Sequence, residues 1–61
     1  MPYKNKYEAL NFLNERYKVY YCEITCYQEA KEFWNDFVAL WRMGKIDEKD
    51  LTLGQMAMDM F

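Results

Sequence analysis

Cys22 and Cys26 are the most intrinsically reactive side chains of this chain, and their spacing of four would put both thiols on one face of a continuous helix. Two thiols fall two ligands short of a tetrahedral zinc site, and the chain has no histidine to complete one. A turn at residues 23–25 would bring the pair within reach of oxidation. In a reducing compartment they are expected to stay free thiols, small buried or half-buried core residues with no metal and no bridge.

Glu29, Glu32 and Asp36 are the second constellation, at i, i+3 and i+7. Carboxylates at that spacing line one helix face, where they could hold a cation or imitate a row of phosphates. Lys31 and Arg42 partly neutralise them, so a solvated face is the simpler expectation. Asp47, Glu48 and Asp50 read in the same way, as charges at a helix start favoured by the macrodipole. Catalysis needs a poised acid, base or nucleophile, and the chain contains no histidine, the commonest choice, no serine and no glycine-rich phosphate loop. No catalysis and no cofactor are therefore expected.

The surplus lies in apolar side chains. Hydrophobic residues make up 52% of the chain and aromatic ones 20%, which is ample for a folded core. Trp34 and Trp41, seven apart, fit either a core shared with Phe33 and Phe37 or a set of interface anchors. Phe12 and Val19, also seven apart, fall on the back of the first periodic segment. They therefore meet either a third helix or a partner. Met56, Met60 and Phe61 belong to a terminal stretch that is apolar nearly all round, which a short chain has difficulty covering.

These residues need helices to position them, and the helix signals are clear. Between Thr25 and Gly44, the residues Tyr27, Ala30, Phe33, Trp34, Phe37, Val38 and Trp41 fall in one arc of about 140°, with Leu40 at its margin. Thr25 and Gln28 have capping-box spacing, and Gly44 offers a left-handed stop. Asn5 and Glu8 repeat the box ahead of a segment in which Tyr7, Ala9, Leu10, Leu13, Tyr17, Tyr20, Tyr21 and Ile24 share a side. This segment predicts a helix to about Cys22, although Val19–Ile24 is rich in β-branched and aromatic residues and would suit a strand paired across a dimer. Asp47 is placed to cap a third helix. Thr52, Gln55 and Gly54 inside that helix leave it either whole or in two short pieces.

The expectation is one all-α domain over residues 1–61, with helices near 6–22, 26–43 and 48–60. The first two form an antiparallel hairpin, and a shorter Met-rich third helix folds back across them. Net charge is −2, from eight basic and ten acidic side chains spread along the chain, so no basic patch favours direct nucleic-acid binding. The longest apolar run, Phe37 to Trp41, is five residues, and no charged leader precedes an apolar core near Met1. A soluble cytoplasmic protein with no membrane contact is the reading. Phe, Tyr, Met, Ile, Asn and Lys account for 27 of the 61 residues, and their codons are mostly AT-rich, as in a low-GC bacterium or its phage.

By subtraction, the leading functional expectation is a small acidic interaction protein, a stoichiometric inhibitor or adaptor of a larger host protein. A phage or mobile element would be a natural source. Its partner surface would comprise Phe12, Val19, Met56, Met60 and Phe61, and a homodimer is a further way to cover it. One alternative is a compact DNA-associated regulator of helix-turn-helix type, with Gly44 in the turn, although a third helix holding only Lys49 and Gln55 is poorly equipped to read bases. Another is an acidic nucleic-acid mimic using Glu29, Glu32 and Asp36.

Overall fold

A computed structural model describes residues 5–61, which form three helices: α1 (Lys6–Tyr17), α2 (Tyr27–Arg42) and α3 (Glu48–Met58). Among the described residues there is no strand. Each helix touches the other two, and α3 lies more extensively on α1 than on α2.

Asn5 starts α1 as its sequence predicts, with its side-chain oxygen accepting the Glu8 N–H at 2.9 Å. The helix ends five residues earlier than the periodicity predicts. Lys18 adopts a left-handed conformation (φ 55°) and donates its N–H to the Asn14 carbonyl at 2.7 Å. Residues 19–24 are then neither helix nor strand. They form a strap held by two side chains of α1. Asn11 pairs with both backbone groups of Ile24, accepting the N–H at 2.7 Å and donating to the carbonyl at 2.9 Å. Asn14 accepts the Tyr20 N–H at 2.6 Å and donates to the Cys22 carbonyl at 3.1 Å. These bonds replace the ladder that a helix or sheet would have supplied, so the strap can lie against the core and bury Ile24. Tyr20 and Tyr21 consequently leave the stripe expected of them, and Tyr21 is 88% exposed.

The start of α2 is displaced by one residue from the expected box. Cys26 is the N-cap and makes no side-chain capping bond, while Glu29 rather than Gln28 reaches back, accepting from the Thr25 N–H and hydroxyl. At the other end Gly44 (φ 77°) closes the helix as its position predicts. Its N–H donates to Trp41 O at 2.9 Å, and the Lys45 N–H donates to Leu40 O at 3.0 Å, the paired bonds of a Schellman stop. Ile46 then buries itself, and Asp47 stands at the N-cap of α3, where, unlike Asn5, it makes no side-chain capping bond.

Helix α3 is continuous through Gly54, and the sequence-level possibility of two pieces is not realised. Gly54 is there for close approach, since an added Cβ would lie 2.6 Å from the Trp34 ring and 3.3 Å from a Leu13 methyl. Thr52 and Gln55 form no box. The Thr52 hydroxyl donates to the Glu48 carbonyl and Gln55 donates to Asp59. The core is Ala9, Leu10, Leu13, Ile24, Ala30, Phe33, Phe37, Ile46 and Ala57, drawn from all three helices and both connections. Tyr17 packs edge-on against Phe37 and donates its hydroxyl proton to Asp50, which Arg16 also meets at 3.2 Å. That cluster pins the start of α3 to the end of α1.

Candidate interaction surface

The 140° arc of α2 divides in two. Ala30, Phe33 and Phe37 face inward and are fully buried. Trp34 and Val38 lie half-buried on the other flank, and Trp41 is 40% exposed. An arc this wide exceeds what two small neighbouring helices can cover, so one side of it becomes surface. Trp34, Val38 and Trp41, at i, i+4 and i+7, form one wall of an open groove of about 510 Å³ whose opposite wall is Leu51, Thr52, Gln55 and Met56 of α3. Trp34 can pack closely against α3 because Gly54 has no side chain in the way. The two polar residues of the α3 wall direct hydrogen bonds along their own helix, to the Glu48 carbonyl and the Asp59 carboxylate. The groove is left with an apolar lining.

The five residues expected to form a partner surface fall in different places. Met56 lies in the groove and is 44% exposed. Phe12 on α1 is 41% exposed, and Met60 is 50% exposed just beyond α3. Phe61 is 39% exposed but has neighbours, its ring centroid 5.4 Å from that of Tyr7 and 5.2 Å from that of Tyr27, with the Lys6 ammonium 4.9 Å away. Val19 is not on the back of α1. That helix has already ended, and Val19 is half-buried in the strap against the core.

Of the acidic row, two members are engaged within the chain. One oxygen of Glu29 accepts from the Thr25 N–H at 2.9 Å and hydroxyl at 2.7 Å, and the other accepts from the Cys22 thiol at 3.7 Å. The Thr25 bonds hold the Glu29 carboxyl below its ordinary range. Glu32 accepts the Tyr20 hydroxyl at 2.6 Å, and that bond raises the Tyr20 phenol. Asp36 is exposed, bordering a shallow depression shared with Glu32, Asn35 and the Tyr20–Tyr21 pair. Cys22 and Cys26 are free thiols, the first half-buried and pushed up by burial and then by Glu29, the second exposed at the start of α2. Among the described residues no group of three His, Cys, Asp or Glu side chains is placed to hold a metal ion. No helix among them is long and apolar enough to cross a membrane.

No family model, no curated protein and no solved structure matches this chain. The groove was only partly legible in the sequence. Trp34 and Trp41 stood out as anchors or core, but the pairing of their flank with Leu51 and Met56 depends on how α3 crosses α2. The breadth of the apolar arc was the available signal.

Proposed function

We propose that this protein acts by binding, as a small acidic inhibitor or adaptor that occupies a surface on a larger protein in the cytoplasm, without catalysis or cofactor. The observation that carries the reading is the amount of large apolar side chain left on the outside. Phe12, Trp41, Met43, Met56, Met60 and Phe61 are each 39–63% exposed on a chain whose whole surface is 4217 Å². Scattered single hydrophobics are ordinary on a protein surface, but this density on so small a domain is the pattern of a surface made to be covered. Methionine at three of these positions suits a contact that adapts to its partner. A phage or mobile-element origin fits the large share of residue types whose codons are mostly AT-rich.

The two alternatives draw less support. As a helix-turn-helix reader, α3 would present Glu48, Thr52 and Asp59 with only Lys49 as a cation, a poor match to phosphates. As a nucleic-acid mimic, the acidic row would use Glu29 and Glu32, which already accept hydrogen bonds from within the chain.

The test is capture of a protein from bacterial lysate by immobilised wild-type chain, compared with variants that keep their helicity. Phe12→Asp combined with Met60→Asp should abolish capture, and neutralising Glu29, Glu32 and Asp36 should leave it intact. The opposite pattern would transfer the function to the acidic face.

A further inference from the structure

We infer that the groove between α2 and α3 is a self-association surface, closed by a second copy of this chain around a two-fold axis running along the helices. The inference goes beyond the host-protein reading and does not depend on it.

Three observations converge. The first is the groove's lining: Trp34, Val38 and Trp41 face Leu51 and Met56, an apolar wall on each side. The second is direction. The start of α2 meets the end of the chain, where Tyr27 and Phe61 are 5.2 Å apart, and the end of α2 meets the start of α3 across the Gly44 turn. The two walls therefore run antiparallel.

The third is the charge along the two rims. On α2, Lys31 and Arg42 fall within about 40° of Val38 around the helix, one toward each end of the groove. On α3, Glu48 and the C-cap residue Asp59, which keeps right-handed helical backbone, fall on the arc between Gln55 and Thr52, again one toward each end. All four are exposed. Lys49, about 20° beyond Met56, is a lone cation at the outer edge of α3, so the α2 rim is basic and the α3 rim net acidic, with Arg42 across from Glu48 at the turn end and Lys31 across from Asp59 at the other. Among the described residues Lys31, Arg42 and Glu48 form no ion pair. Asp59 accepts only from Gln55, and Lys31 lies 5.9 Å from the Tyr27 ring.

This pattern complements itself in one way only. Two copies facing each other across a two-fold axis parallel to the helices set each α2 against the other copy's α3, so every basic rim meets an acidic one. With the axis turned across the helices, α2 would meet α2, which sets Arg42 against Lys31 and Glu48 against Asp59, and like charges opposed at an interface are disfavoured. A second copy in the first arrangement gives an antiparallel four-helix layer with the tryptophans at its centre, where aromatic anchors contribute most.

Sedimentation equilibrium of the full chain, with circular dichroism on every variant, tests the inference. Wild type should be a dimer at micromolar to submillimolar concentration. Trp41→Asp should weaken association at least about 30-fold, because a central tryptophan is lost and a charge is placed at the seam. Arg42→Glu and Glu48→Arg, both on the surface, should each weaken it roughly tenfold, and the double variant Arg42→Glu/Glu48→Arg should recover most of the loss, because the swapped charges meet again across the two-fold. A wild-type chain that remains monomeric at several hundred micromolar would overturn the inference. So would a dimer indifferent to these variants, or a double variant no better than the singles. Host capture by the monomeric variants is a separate readout, so loss of the dimer and loss of the host contact can be told apart.

Discussion

Along the α1–α2 connection, the polar side chains are bonded within the chain. Asn11 and Asn14 bind the backbone of the strap, Glu29 accepts from Thr25 and Cys22, and Glu32 accepts from Tyr20. Across α2 and α3 the reverse holds, with Trp41 and Met56 open to solvent and the charges of both rims forming no ion pair among the described residues, Asp59 accepting from Gln55 and Lys31 lying over the Tyr27 ring. Groups that look like chemistry are structural in the first region, and groups that look like core are surface in the second. In a chain this small, polar residues are needed to hold a connection too irregular for a ladder, while aromatic residues exceed what the interior can take in.

The comparison breaks most completely at Phe37, which is fully buried and packs against Phe33, Trp34 and Tyr17. Phe37→Ala should cost about 3–5 kcal/mol, enough to unfold most of a domain of this size and so abolish both regions together. A melting curve that is unchanged would mean the core lies elsewhere. Asn11→Ala separates the regions. It leaves the N–H and carbonyl of Ile24 without their partner and should cost about 2–3 kcal/mol in chemical denaturation, with the groove unaltered. If Asn11→Ala proves neutral, water replaces the side chain and the strap is not what Asn11 holds.

Gly54→Ala probes the floor of the groove. Helix propensity favours alanine by about 1 kcal/mol, yet the new methyl would meet the Trp34 ring, so the net effect should be a loss of about 1–2 kcal/mol. A stabilised variant would show that Trp34 moves aside freely. A smaller effect follows from Glu29. Its carboxyl is held below the ordinary value of 4.5 in the folded chain, so this contribution is fully present above that value and is lost as pH falls through the depressed one. Glu29→Gln should therefore flatten the acid limb of a stability profile below about pH 4.5 while leaving it unchanged in shape near neutrality. Asp36→Ala, at an exposed position, should shift stability by no more than about 0.5 kcal/mol.

Legibility in the sequence follows the range of the interactions. The Asn5 cap, the Gly44 stop, the buried Phe33 and Phe37, and the three-helix architecture all rest on contacts within a few residues or on a sustained period, which a linear pattern records. The strap rests on Asn11 reaching thirteen residues along the chain and Asn14 reaching eight. The stretch from Tyr17 to Ile24 kept helical spacing, and nothing local announced that Lys18 would turn left-handed. Two asparagines one turn apart beside an apolar stripe were the trace available, since asparagine competes for backbone groups and is a poor choice inside a helix. Gly54 looks like a weak point in α3 from the sequence because its neighbour in space, Trp34, is far away along the chain. The groove escaped for the same reason.

Thermal melting followed over an approximately 100-fold range of protein concentration, for wild type, Asn11→Ala and Trp41→Asp side by side, addresses the division between a strap that stabilises and a groove that associates. Association with a second folded copy stabilises by mass action, so the wild-type Tm should rise with concentration. Asn11→Ala should melt lower at every concentration but with the same rise, and Trp41→Asp should show no rise at all. A flat wild-type Tm, or a rise that survives Trp41→Asp and vanishes in Asn11→Ala, would contradict this assignment of roles.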